Sequence, residues 1–203
     1  KYSAKIAVKN IDAVTVSKTK RPNAVAVVIG VEKYDNLPPA IYAARDADLM
    51  TRYFKDVLGI KDVITHTNKE VSGFFFEQIF DFNIGQLAKM VEKGETDVFV
   101  FYSGHGVPEK DGKEVYLFPT DGNIEKLETQ GYSLNKLYEN LDKLKAKSVT
   151  VIIDACFSGS SRVSNLYASE NISNTKGVKV RPRITQPWAN NPNFRVLSSS
   201  KDD

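Results

Sequence analysis

The chain contains one cysteine, Cys156, and two histidines, one of which is His105. A cysteine thiolate is a strong nucleophile for acyl transfer, and a nearby imidazole favours this reactive form. Cys156 comes shortly after the apolar run at 149–153, and His105 comes shortly after the apolar run at 98–101. Both residues are therefore expected in loops that follow strands, where open α/β sheets gather their functional groups.

A lone cysteine is most often a small buried hydrophobic side chain, and this interpretation has to be weighed first. The sequence around Cys156 argues against a buried position, because the segment 158–161 (Ser-Gly-Ser-Ser) contains no apolar side chain to pack against the thiol. His105 lies between Gly104 and Gly106, which permit close backbone approach and unusual dihedral angles. The two residues together predict a nucleophile and its base.

Apolar patterning predicts the elements that would position this pair. Short apolar runs predict strands, and apolar residues spaced by three and four predict helices. The predicted strands are 5–8, 24–29, 61–65, 97–102, 149–153 and 194–197, with an extended piece at 114–118. Helices are predicted from Ala43 to a stop at Gly59, from the N-cap Asn83 to Gly94, and from the N-cap Ser133. Residues 67–82 fit either a helix or an ordered loop.

Strands that alternate with helical segments predict an α/β fold with a mostly parallel sheet and helices on both faces. A chain of 203 residues with 41% hydrophobic residues is expected to form one domain. The chain starts at Lys1 without a Met and shows no signal peptide, so the native N-terminus is expected outside this sequence. The cellular compartment is not determined.

The composition excludes several functional classes. The net charge of +3 is small and its basic and acidic residues are interspersed, so no nucleic-acid surface is expected. No apolar run approaches the roughly 20 residues that a membrane helix needs. One cysteine excludes an internal disulfide and a cysteine-rich zinc site. A nucleotide-binding domain would need a glycine-rich loop after the first strand, and the segment 30–33 (Gly-Val-Glu-Lys) lacks one.

Three segments resemble those of the caspase-like cysteine peptidases, and within them the metacaspases and their bacterial relatives. Residues 102–106 (Tyr-Ser-Gly-His-Gly) resemble the family's histidine motif, and residues 154–159 (Asp-Ala-Cys-Phe-Ser-Gly) resemble its nucleophile motif. Residues 26–31 and 42–47 resemble its first strand and following helix. The histidine also precedes the cysteine by about 50 residues, as in the caspase signature.

The resemblance covers about residues 24–200 and implies a caspase-like three-layer sandwich. Residues 1–23 would be an N-terminal extension, and residues 24–203 a peptidase domain resembling the family's large subunit, with an irregular loop at 158–193. The family usually continues with a further helix and strand, so a C-terminal small-subunit-like segment is expected outside this sequence.

A Cys–His dyad follows from the same resemblance. Cys156 would attack the scissile carbonyl, and His105 would protonate the leaving amine and then activate water. The oxyanion hole would be built from the backbone N–H groups of Gly106 and Cys156. A serine nucleophile at Ser158 is not favoured, because the flanking glycines of a nucleophile elbow are absent.

Asp154 is the residue that predicts specificity. Caspases carry Gln two places before the cysteine, whereas this chain carries Asp154. Residues two apart on an extended strand share a face, so an acidic group would stand beside the nucleophile and favour a basic substrate side chain. We expect Asp154 to be buried beside the strand end, where a charge needs a partner. This resembles the metacaspase pattern of cleavage after Arg or Lys.

The resemblance also assigns Asp46 and Ser103 to the pocket for the basic side chain. Both have simpler explanations that stay open. Asp46 near a helix start could serve only to stabilise the helix dipole, and Ser103 could be an ordinary turn residue. The expected partners are therefore protein or peptide substrates with a basic residue at the cleaved position.

No cofactor or structural metal is expected, although some metacaspases require calcium. Candidate carboxylates are present, but their spacing does not form an EF-hand, and solvated charge is the preferred interpretation. They are Asp97, Asp111, Glu114 and Asp121. The basic residues of the irregular loop could be sites of self-processing; these are Arg162, Lys176, Lys179, Arg181 and Arg183. The alternative function is a catalytically silent caspase-like interaction module, which would predict a missing dyad residue.

Overall fold

Residues 13–109, 114–155 and 186–199 are described by a computed structural model of the chain. The predicted strand at 5–8, the predicted nucleophile Cys156 and residues 158–185 of the irregular loop lie outside these described residues. Within the described part, no helix is long and apolar enough to cross a membrane.

A parallel sheet forms the centre of the fold, as the sequence predicts. In the described residues its five strands are β1 (Arg21–Gly30), β2 (Ile60–Thr67), β3 (Asp97–Ser103), β7 (Ser148–Asp154) and β8 (Phe194–Ser198). They lie in the order β2-β1-β3-β7-β8, and each neighbouring pair is parallel. Continuous Val-rich runs suit such a sheet because both faces of its strands are buried.

Helices cover both faces of this sheet, which confirms the predicted three-layer arrangement. One face packs against α1 (Ala43–Arg52) and the π-helical turn Tyr53–Val57, through the buried side chains of Ala47 and Phe54. The other face packs against α2 (Phe75–Phe80) and α4 (Leu134–Lys143). Successive side chains of a strand point to opposite faces, so the strands contribute alternate residues to these two layers.

A second, antiparallel sheet lies beyond the end of β3. Its three strands are β4 (Gly106–Pro108), β5 (Val115–Leu117) and β6 (Tyr132–Ser133), with β5 in the centre. The short helix α3 (Leu127–Gln130) precedes β6. The extended piece predicted at 114–118 is therefore a central strand of this small sheet, and β4 begins directly after His105.

The helix predicted from Asn83 to Gly94 is wrong. The structure has turns there and one 3-10 turn, Leu87–Lys89. The Asp81 carboxylate accepts the N–H groups of Asn83 and Ile84 at 2.8 and 3.0 Å, which holds the backbone in a turn. The same two N–H groups lower the pKa of Asp81, because they stabilise its charged form. The preceding segment, left open between helix and loop, contains α2.

The backbone N–H groups of the loop between β1 and α1, residues 31–42, are hydrogen-bonded to the rest of the fold. The Asn68 side-chain oxygen accepts the N–H groups of Glu32 and Lys33 at 3.0 and 2.9 Å. The Asp35 N–H donates to the carbonyl of Thr120 at 2.9 Å, and the Thr120 hydroxyl donates to the Asn68 carbonyl at 2.6 Å. Although irregular, the loop is therefore held in place beside the carboxyl ends of the strands.

Candidate active site

His105 lies in the short connection between β3 and β4, at the carboxyl edge of the parallel sheet. Its Nε2 lies 2.7 Å from the carbonyl oxygen of Pro38, in the loop at 31–42. A carbonyl can only accept a hydrogen bond, so Nε2 carries a proton and donates. In the neutral ring, Nδ1 is then the nitrogen that can take up a proton. The Tyr34 ring packs against the imidazole with a centroid distance of 4.7 Å.

The pairing of β3 with β7 relates His105 to the predicted nucleophile. The two strands are parallel and in register from Asp97 opposite Ser148 to Ser103 opposite Asp154, an offset of 51 residues. The same offset separates His105 from Cys156 in the sequence. Each residue therefore comes at the same distance along the chain after one of two neighbouring strands. Cys156 itself lies outside the described residues, so its distance from His105 stays a prediction.

Gly106, the predicted oxyanion-hole donor, begins β4 opposite Leu117 of β5. The Phe118 N–H donates to the His105 carbonyl at 3.3 Å. In an antiparallel ladder this bond flanks the Gly106–Leu117 pair, which is thus a non-hydrogen-bonded pair. The Gly106 N–H therefore points away from β5, as a donor to a bound substrate would require.

Ser103 and Asp154, two of the three predicted pocket residues, are neighbours at the carboxyl edge of the sheet. They end β3 and β7 and are paired in register, and neighbouring strands lie about 4.8 Å apart. By the alternation along each strand, both side chains point to the α1 face, like Phe101 and Ile152. Ser103 is buried, with an exposed fraction of 4%.

Asp46, the third predicted pocket residue, lies in the first turn of α1, as expected for a residue near a helix start. It is three positions after Ala43, at the border of the helix stripe that packs on the sheet. The start of α1 lies close to the end of β1, since a Cβ at Gly30 would stand 2.4 Å from the Ala43 carbonyl oxygen. Asp46, Ser103 and Asp154 therefore all lie on the α1 face of the parallel sheet, at its carboxyl edge.

The expected burial of Asp154 is wrong, because the residue is exposed. Its carboxylate nevertheless has a partner: Ser199 Oγ donates to Asp154 Oδ1 at 2.6 Å. The Ser199 N–H also donates to the carbonyl of Ile153 at 3.0 Å, which continues the pairing of β7 with β8. Sequence reasoning missed Ser199, and only its position just after a predicted strand pointed to this edge.

Three further residues lie at the site, and the sequence predicted no role in it for any of them. Pro38 contributes only its carbonyl oxygen, which any residue type carries. Tyr34 and Tyr102 contact the backbone of His105 through their hydroxyls. Tyr102 lies inside the histidine motif itself, but it was predicted only as the end of a strand.

Three of the four carboxylates considered for calcium lie in the described residues, and each of these has a hydrogen-bonded partner. Within the ranges that the structure describes, no group of three or more His, Cys, Asp or Glu side chains could hold a metal ion. Asp97 accepts a hydrogen bond from Ser148 at 2.6 Å, and Asp121 accepts the Gly73 N–H at 2.9 and 3.0 Å. Glu114 is bonded to Tyr116 and Ser133, and Asp111 lies outside the described residues.

The sequence of the chain matches the model of one known protein family. The sequence model of the caspase domain family matches residues 23–203, nearly the whole chain. No curated protein sequence is significantly similar to the chain.

Several solved structures are similar to this chain at low sequence identity. A protein of Geobacter sulfurreducens superposes with a TM-score of 0.50 and 24% identity, over 80% of this chain and 60% of that one. Caspase-1 of Spodoptera frugiperda gives a TM-score of 0.42 and 19% identity, over 76% and 55% of the two chains. A structure of pro-sf-caspase-1 gives 0.44 and 16%, over 91% and 64%. The chain thus spans less than two thirds of each of these proteins.

Proposed function

Because the chain belongs to the caspase domain family, we propose that it is a cysteine endopeptidase that cleaves after Arg or Lys, with Cys156 and His105 as its catalytic dyad. The observation that carries this proposal is the register of β3 and β7. It gives a histidine and the chain's only cysteine equivalent positions after two neighbouring parallel strands. Functional groups in such sheets gather at this edge.

In the proposed reaction, the Cys156 thiolate attacks the carbonyl carbon of the scissile bond and forms a tetrahedral intermediate. Its oxyanion receives hydrogen bonds from the N–H groups of Gly106 and Cys156, and the direction of the Gly106 N–H supports this role. Collapse of the intermediate breaks the C–N bond, and the imidazolium of His105 gives its proton to the leaving amine. A thioester acyl-enzyme results.

Hydrolysis of the thioester completes the cycle. The now neutral imidazole of His105 takes a proton from water as the water oxygen attacks the thioester carbon, and the carboxylic acid product leaves as the thiolate is regenerated. The Pro38 carbonyl supports both steps, because it holds Nε2 protonated and so assigns the moving proton to Nδ1. No residue other than the dyad needs to gain or lose a proton.

The proposed preference for Arg or Lys derives from the pocket at the carboxyl edge of the sheet. Asp154 and Asp46 supply negative charge on the face that also carries Ser103. A guanidinium or ammonium group gains charge-assisted hydrogen bonds there, whereas an aspartate side chain would be repelled.

A panel of fluorogenic peptides tests this function. The peptides differ only at the cleaved residue, which is Arg, Lys or Asp, and each is assayed with calcium and with a chelator. We expect hydrolysis of the Arg and Lys peptides at a kcat/KM at least about a hundredfold above that of the Asp peptide, since two pocket carboxylates are involved. Hydrolysis of the Asp peptide alone would contradict the proposed specificity, and hydrolysis of none of them would contradict the proposed function.

A further inference from the structure

Two tyrosine hydroxyls contact both backbone groups of His105. The His105 N–H donates to Tyr34 Oη at 2.8 Å, and Tyr102 Oη donates to the His105 carbonyl oxygen at 2.8 Å. A backbone N–H only donates and a carbonyl only accepts, so Tyr34 Oη accepts the first of these bonds and Tyr102 Oη donates the second. The two hydroxyls therefore hold the backbone of His105 through both its N–H and its carbonyl group.

Both side chains are shielded from water, Tyr102 completely and Tyr34 in part. Tyr102 has an exposed fraction of 1%. Burial raises the pKa of Tyr34 to about 12 and the pKa of Tyr102 well above its usual value. Both side chains are therefore neutral at physiological pH, each with one proton to donate. Hydrogen bonds in such an environment are strong, and a partner left unpaired there is costly.

Gly104 makes this arrangement possible. A Cβ at position 104 would stand 2.7 Å from Tyr34 Oη and 2.8 Å from Tyr102 Oη. Real Cβ atoms do not approach oxygen so closely, so any larger residue would displace one or both hydroxyls. The glycine before His105 thus provides the space in which the two tyrosines meet.

We propose that Tyr34 and Tyr102 form a hydroxyl clamp, the pair of side chains that fixes the backbone of His105 and thereby orients its imidazole for proton transfer. This inference rests on the proposed peptidase function. Both tyrosines are positioning residues, since their hydroxyls bond the backbone of His105 and act on the imidazole through it. Pro38 holds the His105 imidazole at Nε2, and the clamp holds the backbone of the same residue. Tyr34 and Pro38 both belong to the loop at 31–42, which is bonded to Asn68. A small displacement of a catalytic group lowers the rate strongly.

The variants Tyr34→Phe and Tyr102→Phe test the clamp, since each removes one hydroxyl and keeps the ring. We expect kcat for an Arg peptide to fall on the order of tenfold in each variant, with KM nearly unchanged. The double variant should be slowed by less than the product of the two single effects, because both hydroxyls fix the same residue. The matched control is Tyr132→Phe, which removes another hydroxyl of a buried tyrosine, one whose bond is to Asn140 at 3.1 Å.

A second measurement separates the clamp from the proposed function. Hydrogen exchange at the His105 amide should be faster in Tyr34→Phe than in the wild type and unchanged in Tyr132→Phe. If the wild type cleaves peptides but the clamp variants match Tyr132→Phe in kcat, the clamp is refuted and the function stands. If the wild type does not cleave, the function is refuted, and faster exchange at His105 still supports the backbone contact, whereas unchanged exchange overturns it.

Discussion

Replacing His105 with alanine is expected to lower kcat/KM for an Arg peptide by about a thousandfold. Removal of a general acid–base group typically costs between a hundredfold and ten thousandfold. Here the loss should exceed the lower figure, because the imidazole also favours the thiolate form of the nucleophile. Its Nε2 lies 2.7 Å from the Pro38 carbonyl oxygen, a bond that favours one orientation of the ring.

The single cysteine makes this effect directly measurable. Alkylation by iodoacetamide reports the thiolate fraction of Cys156 without interference from any other thiol. With His105 present, the thiolate should persist well below pH 8.5, the usual pKa of cysteine. In His105→Ala the pKa should rise toward that value, so alkylation at pH 6.5 should slow markedly.

The control for this experiment is His66→Ala, which removes the other histidine of the chain. His66 lies in β2, and its ring packs edge-on against Phe75 at a centroid distance of 5.0 Å. This variant should keep both the peptidase rate and the pH profile of alkylation. Equal activity of wild type and His105→Ala would show that His105 is not the base.

Replacing Asp154 with asparagine is expected to lower kcat/KM for Arg and Lys peptides on the order of a hundredfold. The change removes one negative charge but keeps an oxygen that can accept from the Ser199 hydroxyl. The loss therefore reports the charge and not the collapse of the strand end. A charge-assisted hydrogen bond is worth about 1.5–3 kcal/mol, which is roughly ten- to a hundredfold or slightly more.

A peptide with a neutral residue at the cleaved position should distinguish specificity from general damage. Its kcat/KM should change little in Asp154→Asn, so the preference for basic residues falls. The matched control is Asp121→Asn, an exposed carboxylate bonded to the Gly73 N–H. A parallel loss with basic and neutral peptides would show that Asp154 supports the fold or the nucleophile and does not select the substrate.

The parallel sheet was readable from the sequence because its strands are buried on both faces. The apolar run at 24–29 predicts a buried strand, and the observed strand β1 differs mainly in starting earlier, at the polar residue Arg21. The two chemical motifs were readable for the same reason, since each directly follows such a run. Once β3 and β7 pair in register, the positions of Ser103 and Asp154 are fixed relative to each other.

Other features depend on contacts that no local pattern carries. The segment after Asn83 has helical spacing, yet the Asp81 carboxylate and the close approach of Gly85 to the Asp81 carbonyl oxygen hold it in turns. Two partners of His105, Tyr34 and Pro38, come from a loop about 70 residues earlier in the chain, so sequence spacing could not reveal them.

The most direct test of the central claim is covalent labelling of the intact protein with a thiol-reactive peptide probe that ends in Arg, followed by mass spectrometry. The account predicts one adduct per chain, on Cys156, formed much more slowly in His105→Ala and outcompeted by an Arg peptide substrate. It also predicts slower labelling by the same probe ending in Asp. An adduct on another residue, or labelling of Cys156 at equal rates with and without His105, would contradict the proposed dyad.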